Sequence, residues 1–229
     1  MTYQIIKDAD LLGAFIDWLP DLEEGEKFYC CLFARKKYLP SMKSSDKSQL
    51  RRFLSDKKRL FNKIEQLEAK LGAYKIKGEP APQEALVLYI NPNPRGLKKA
   101  SFESIIQLTE LLKRDSRNFN PQQEVMSVIQ RTVGRKIYLD FDIDDKDFDL
   151  DRLNGIVNRS CLTIVQTRGG YHVLVKLSEV QPQYKKTFYQ QMLALGVDQT
   201  GDQLLPVPGC TQGGYMPRFI NSNSFLDFF

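Results

Sequence analysis

Seven residues, Ile137-Tyr138-Leu139-Asp140-Phe141-Asp142-Ile143, narrow the possible folds of this chain more than any other stretch. They read as an apolar strand, within Lys136 to Ile143, interrupted by acids at alternate positions. Side chains two apart on a strand share a face, so Asp140 and Asp142 project together while Leu139, Phe141 and Ile143 can face a core. Two carboxylates that close repel unless something cationic lies between them. Hard oxygen ligands with room for water and phosphate suit Mg²⁺ or Mn²⁺, and paired ions can stabilise both oxygens of a phosphoryl transfer. The competing reading is a strand end that runs into a solvated acidic loop, Asp144 to Asp151.

The only histidine of the chain follows in Thr167-Arg168-Gly169-Gly170-Tyr171-His172-Val173, at the start of a second predicted strand, Tyr171 to Leu177. A third strand, Cys161 to Thr167, precedes it. Two consecutive glycines permit a tight turn with positive φ and let a ligand approach backbone N–H groups. Such a turn can bind phosphate, with Arg168, Gly169, Gly170 and His172 as the donors. A hairpin whose histidine merely packs at a strand edge is the alternative.

Around this centre the pattern alternates. Asp8 to Leu19 has the apolar spacing of a short helix ending at Pro20, and Lys27 to Phe33 reads as a buried strand leading into the basic turn Ala34 to Lys37. Ser48 to Leu71 has apolar residues at helical spacing with Lys and Arg between them, which predicts the longest helix, stopped at Gly72. A loop over Lys77 to Gln83 leads to a core strand, Ala85 to Ile90. Asn91 to Gly96 must leave the sheet because its prolines cannot donate to a ladder. Ser101 to Leu112 returns to helical spacing, and polar Asn118 to Gln123 marks a lobe boundary. Beyond it, Asp149 to Val157 and Pro182 to Leu195 are predicted helices and Leu204 to Val207 a short strand. This order approaches the β-α-β-β-α-β pattern of a ferredoxin-like or RNA-recognition-motif unit. The closing stretch Asn221 to Phe229 is short enough either to dock or to fray.

Apolar residues make up 42% of the 229 and charged residues 27%, values of a folded globular chain rather than a disordered one. No apolar run reaches the roughly 20 residues of a membrane span, and MTYQIIKDAD lacks signal-peptide character. A cytoplasmic protein without membrane contact is expected. Cys30, Cys31, Cys161 and Cys210 have neither zinc-knuckle nor disulfide-framework spacing, so buried or idle thiols are expected. The net charge is only +5, but Arg35 to Lys70 holds twelve Lys and Arg against four acids, whereas Asp140 to Asp151 holds seven aspartates and one lysine. A basic surface beside an acidic spot suits a protein that holds a polyanion and performs metal chemistry on it.

A further acid follows an apolar residue in Val197-Asp198, and Val207-Pro208-Gly209-Cys210 adds a Pro-Gly turn. Together, Asp-x-Asp on a strand, a glycine turn leading to histidine, and an apolar residue plus Asp resemble the archaeo-eukaryotic primase (primase-polymerase) superfamily. The Pro-Gly turn is similar to one in its plasmid and phage branch. The motifs cover the carboxy-terminal half. The resemblance implies an α+β fold, a two-lobed primase-polymerase core with an RNA-recognition-motif-like catalytic half. Residues 1–120 would form an amino-terminal α/β lobe carrying the basic helix and nucleic-acid contacts. Residues 121–229 would form the catalytic lobe, and both together one catalytic domain. It further implies Asp140, Asp142 and Asp198 as catalytic ligands of two Mg²⁺ or Mn²⁺ ions, with Asp202 in reserve as the third acid, and His172 on the triphosphate. One departure is Gly170, where the family often has Ser; there a backbone N–H would replace the hydroxyl.

In the amino-terminal half, Asn93-Pro94-Arg95 is similar to an element of mobile-element members, which makes Arg95 a candidate for nucleotide or template contact. Arg51, Arg52, Lys57, Lys58 and Arg59 on the basic helix are candidates for a template surface. The implied activity is DNA-dependent primase or polymerase activity in replication of a plasmid, phage or other mobile element. Nucleoside triphosphates and a single-stranded DNA template would be its partners, and a replicative helicase a candidate one. A two-metal nuclease and a non-catalytic nucleic-acid-binding module of the same fold are the rivals. A rolling-circle endonuclease is excluded because its usual motif needs paired histidines.

Overall fold

Every residue from Phe28 to Ala34 is buried, so this segment must find backbone partners on both edges. That need organises the first half of the chain. The computed structural model describes residues 1–42, 47–114, 119–199 and 204–220. Helix α1 (Ala9–Trp18) is capped by Asp8, whose Oδ1 accepts the Leu11 N–H at 2.9 Å. Strand β1 (Glu26–Arg35) then pairs antiparallel with β2 (Lys47–Ser55).

The expected helix over Ser48 to Leu71 is therefore half strand. Only α2 (Lys57–Glu65) is helical, started by the Asp56 side chain on the Arg59 N–H. Leu50, Phe53 and Leu54 have spacing that fits a helix, but as β2 they give β1 its second ladder of hydrogen bonds. Tertiary pairing overrode local pattern here.

The small hairpin β3 (Lys75–Ile76) and β4 (Glu79–Pro80) leads to β5 (Leu86–Ile90), which pairs with the other edge of β1. Strand β6 (Arg95–Gly96) pairs with the start of β1, and α3 (Leu97–Lys113) and α4 (Pro121–Arg131) follow. Next come β7 (Tyr138–Ile143), β8 (Leu162–Gln166), β9 (Tyr171–Lys176), α5 (Phe188–Ala194), β10 (Leu205–Pro206) and β11 (Arg218–Ile220). The protein is thus a mixed α+β fold, with five α-helices and antiparallel sheets among the described residues.

Two of the expected helices are shorter than their sequence pattern. Asp149 to Val157 holds only a 3-10 turn, Leu150–Leu153: the chain turns extended at Asn154 and then passes through Gly155 at φ +79°. Of Pro182 to Leu195 only α5 is α-helical. Asp202 and Asn221 to Phe229 lie outside the described residues, as does Asn118 of the polar boundary.

The first sheet runs β10-β5-β1-β2 and the second β11-β8-β9-β7. Strand β10, expected to join the catalytic half, instead pairs with β5, Leu205 opposite Ile90. Helix α4 also belongs with the first sheet, whose Tyr29, Cys31 and Val87 pack on Val128 and Ile129. A division at residue 120 therefore does not coincide with the division between sheets, because the chain returns to the first sheet after α5. One face of the second sheet (Leu139, Phe141, Val173, Ile164) packs on Phe188 and Met192 of α5. Its other face contributes Tyr138, Val165 and Leu174 to the core shared with α1 and the first sheet. Trp18 stacks on Tyr138 at 4.9 Å between centroids and fixes that approach.

All four cysteines are free and buried, and burial pushes the Cys161 thiol up to about 11 and Cys31 to about 12, which keeps them protonated. No helix among the described residues is long and apolar enough to cross a membrane.

Glu26 at the start of β1 ties the approach to β7. Arg135 donates to it from Nε at 2.9 Å and from Nη2 at 2.7 Å, and the Glu23 N–H adds a third contact at 2.9 Å. The Arg135 hydrogen bonds hold the Glu26 carboxyl below the ordinary value of 4.5, against the opposing effect of burial. A lowered carboxylate pKa means stability that is present above the ordinary value and is lost as pH falls through the lowered one. Glu26→Gln should cost about 1–3 kcal/mol at neutral pH, and the gap to wild type should close on acidification, when wild-type Glu26 is also neutral. Urea unfolding at pH 7 and near pH 3 measures both; a gap that stays constant with pH would contradict the ion-pair account.

Candidate active site

Strand β7 places Asp140 and Asp142 on one face, as its alternation requires. The register of β9 sets His172 directly opposite Asp142. On the other edge of β7, Asp142 and Asp198 exchange both backbone hydrogen bonds, at 2.8 and 2.9 Å. Residues paired in this way point to the same side of a sheet. His172, Asp142 and Asp198 therefore form one row across three neighbouring segments.

The imidazole lies between the two acids of β7. A carboxylate only accepts, so His172 Nδ1 carries the proton it donates to Asp140, whose oxygens lie 3.0 and 3.1 Å away. Nε2 lies 3.6 Å from Asp142 Oδ1. Asp140 and His172 are each 7% exposed, whereas the Asp142 side chain is 35% exposed. Burial works to lower the His172 pKa, but the charge and hydrogen bond of Asp140, with Asp142 and Asp144, raise it above 6.5. The Asp142 carboxyl is raised by burial and by Asp144 and Asp140, with His172 and Lys37 opposing. A proton on the histidine is what would let two close carboxylates coexist.

Asp142, Asp144, Gly169 and His172 open on a pocket of about 340 Å³ that is also lined, from the first sheet and the turn after β1, by Arg35, Lys37, Lys47 and Tyr89. Arg35 Nη1 donates to the Tyr89 hydroxyl at 3.1 Å. Sequence reasoning placed these cations only in a basic run and Asp144 in a solvated loop. The lysine and arginine excess after Ala34 was the visible signal; its position against the acids depends on how the sheets meet.

The glycine turn is built differently from the phosphate cradle expected of it. Neither Gly169 nor Gly170 has positive φ. Their N–H groups both reach the Thr167 hydroxyl at 3.3 Å, and Gly170 C=O accepts the Thr167 N–H at 2.8 Å. A Cβ at Gly170 would lie 1.9 Å from the Ile143 carbonyl oxygen and 2.8 Å from the Asp145 nitrogen. That backbone approach excludes a serine here, the residue expected from the resemblance. Arg168 turns away from His172: its Nη1 donates to Gly213 C=O at 2.6 Å and its guanidinium lies 5.1 Å from the centre of the Tyr38 ring. It lines a separate depression with Lys146 and Tyr215.

Among the amino-terminal candidates, Arg95 is wholly buried in β6 and presents no surface to a template. Its neighbour Asn93 shows what the Asn-Pro-Arg element does in this fold. The buried Asn93 Oδ1 accepts the Ile137 and Tyr138 N–H groups, both at 2.8 Å, and Nδ2 donates to Tyr138 C=O at 3.0 Å. One side chain thereby anchors the start of the acid-bearing strand. Arg51 and Arg52 lie on β2 rather than a helix, and Arg52 donates to Ser127 Oγ and Gln123 C=O of α4 at 3.0 and 2.8 Å. Lys57 caps the end of α1 through the Asp17 and Leu19 carbonyls at 2.8 and 2.6 Å. Lys58 and Arg59 are exposed on α2, and none of these five lines the pocket. The Pro-Gly turn buttresses α1, with Gly209 C=O accepting from Lys7 and Asp8 N–H at 2.8 and 3.0 Å.

Among the described residues, no group of three or more His, Cys, Asp or Glu side chains is arranged to hold a metal ion. The row does offer hard oxygen donors. Asp142 and Asp198 share a face, and burial with neighbouring acids disfavours the charge on Asp142, so a divalent cation would suit it. Asp140 is committed to His172 and could lend at most one oxygen. In comparisons with known proteins, no family model, no curated protein and no solved structure matches this chain.

Because His172 is the only histidine, its titration can be followed directly by NMR. It should titrate above 6.5, and Asp140→Asn should lower its pKa clearly. A variant titrating with the wild type would show that Asp140 does not hold the charge.

Proposed function

We propose that the chain is a primase-polymerase, a DNA-dependent nucleotidyltransferase of the archaeo-eukaryotic primase superfamily, plasmid and phage branch, acting in replication of a mobile element. The observation that carries this reading is that His172 and Asp142, with Asp198 paired to Asp142 on its other edge, stand at a pocket also lined by Arg35, Lys37 and Lys47. Acids suited to hold cations and cations suited to hold a polyphosphate would line one pocket, as joining a nucleoside triphosphate to a growing strand requires. The fold gives a second support. The segment at Asp198 lies beside β7, the position that the last strand of a β-α-β-β-α-β unit takes next to its first, and β9 lies between β7 and β8 as in an RNA-recognition-motif-like half.

In the reaction, a 3′-hydroxyl of a primer or first nucleotide attacks the α-phosphorus and pyrophosphate leaves. Two Mg²⁺ or Mn²⁺ ions, when bound, supply the Lewis acidity that activates the hydroxyl and neutralises the leaving oxygen. Asp142 and Asp198 would hold them, with an oxygen of Asp140. His172, oriented by Asp140 through Nδ1, presents Nε2 to the pocket as a donor for a phosphate oxygen. Lys37 and Lys47 offset the triphosphate charge. The Arg168 side chain and the Gly170 N–H serve the structure of the turn in this reading, while Gly169 faces the pocket. The partners are a single-stranded DNA template, nucleoside triphosphates and, as a further candidate, a replicative helicase, in the cytoplasm.

Metal-dependent incorporation of labelled nucleotide on circular single-stranded DNA, with ribo- and deoxyribonucleotides supplied separately, tests the reading. Asp142→Asn should lower incorporation by at least roughly 100-fold while leaving unfolding cooperative. Template cleavage without incorporation would identify a nuclease, and template binding without either would identify a non-catalytic module; each overturns the proposal.

A further inference from the structure

A second pocket, of about 510 Å³, adjoins the first across the β8–β9 turn: Thr167 lines both, Gly169 the first and Gly170 the second. Two cations, Lys146 and Arg168, and two tyrosines, Tyr171 and Tyr215, line it. No carboxylate does so among the described residues, although Lys146 belongs to the acidic loop. Arg218 adds a third positive charge. It stands opposite the lining residue Gln166 in the β11–β8 register, and residues so paired share a side of the sheet. No described carboxylate forms a salt bridge with any of the three. Tyr171 and Tyr215 are half-buried, and neither stacks on another described ring.

The wall that presents Tyr215 is fastened to the β8–β9 turn. Gln212 and Tyr215 exchange both backbone hydrogen bonds, at 2.7 and 3.0 Å, around Gly213 and Gly214 at φ +59° and +79°, a tight two-residue turn. A Cβ at Gly213 would lie 2.3 Å from Tyr38 Cγ, so a side chain there would push the turn off its support. The Gln212 side chain then spans the two turns, its Oε1 accepting the Arg168 N–H at 2.9 Å and its Nε2 donating to the Tyr38 hydroxyl at 3.0 Å. The Tyr171 hydroxyl donates to Lys146 C=O at 3.2 Å and ties that segment to the same pocket.

We propose that this second pocket seats one nucleotide of a single-stranded nucleic acid, its base against the Tyr215 ring and its phosphate held by Lys146 and Arg218. Arg168, clamped between Gly213 and Tyr38, supplies fixed positive charge. Cations that follow a phosphate backbone, together with a free aromatic face on which a base can stack, are what a single strand requires. A base inside a duplex is already stacked on both faces. The volume lies in the range of sites for small molecules, roughly 300–1,000 Å³. The inference rests on the reading that the chain acts on a nucleic-acid strand and says where that strand lies; it uses none of the chemistry of the first pocket.

Fluorescence anisotropy of a labelled single-stranded oligothymidylate, without metal or triphosphate, measures this site apart from catalysis. Tyr215→Ala should weaken binding by roughly 5- to 100-fold with cooperative unfolding retained, and Tyr215→Phe, which keeps the ring, should bind as wild type does. Lys146→Gln should reduce the slope of log affinity against log salt by about 0.7. Asp142→Asn should bind the strand no more weakly than wild type. Strand binding that neither Tyr215→Ala nor Lys146→Gln alters would overturn this placement and leave the nucleotidyl-transfer reading standing. A wild type that does not bind the strand, thymidine monophosphate bound as tightly as the strand, or a duplex competing as well as a single strand would each overturn it too. Binding with these variant effects but no incorporation of nucleotide would uphold the site and remove the nucleotidyl-transfer reading.

Discussion

A buried carboxylate paired with a buried imidazole sits where the two sheets of this protein meet, and much of the architecture serves to hold it. Charge taken out of water is tolerated only with a partner in good geometry, and Asp140 meets that condition through both of its oxygens on His172 Nδ1. The pair spans β7 and β9, so it also locks the register that sets Asp142 opposite His172. Asn93 fixes the start of β7 with three hydrogen bonds, and Arg135, held by Glu26, fixes the approach to it. Strand position, register and the protonation of the histidine are therefore one problem with one solution.

The close approach at Gly170 follows from the same geometry. With the end of β7 pressed against the β8–β9 turn, the Ile143 carbonyl occupies the space a side chain would need, and Thr167 takes up the turn's N–H groups. The turn's N–H groups are thus internally satisfied, and the donors that line the pocket come from His172 and the cations of the first sheet. The polar groups that open on the pocket are therefore side chains drawn from distant parts of the chain, brought together by the meeting of the two sheets.

What could be read from the sequence divides along physical lines. Period-two alternation in β7 announced both the strand and the shared face of Asp140 and Asp142, because that periodicity is a property of the strand itself. The β8–β9 hairpin and α1 were legible for similar local reasons. Strand β2 was not: Leu50, Phe53 and Leu54 satisfy helical spacing, and their extended form is imposed by the unfilled edge of β1 far away in sequence. The local clue was Asp56, a cap residue that begins α2 in the middle of the supposed helix. Arg95 looked like a surface arginine after a proline turn, yet Asn93 draws that turn against β7 and β6 pairs beneath it. Of the site, the row of acids and histidine was visible in outline, whereas Arg35, Lys37, Lys47 and Asp144 join it through the meeting of the sheets, which no local pattern encodes.

The row of His172, Asp142 and Asp198 is the proposed meeting place of a divalent cation and a triphosphate. Anomalous diffraction from a crystal soaked with Mn²⁺ and a nucleoside triphosphate tests it most directly. Metal density touching the Asp142 and Asp198 carboxylates, with a phosphate oxygen within hydrogen-bond distance of His172 Nε2, is the expected result. Metal and triphosphate bound together at another place, with His172 still enclosed between Asp140 and Asp142 and no density in the pocket, would contradict it.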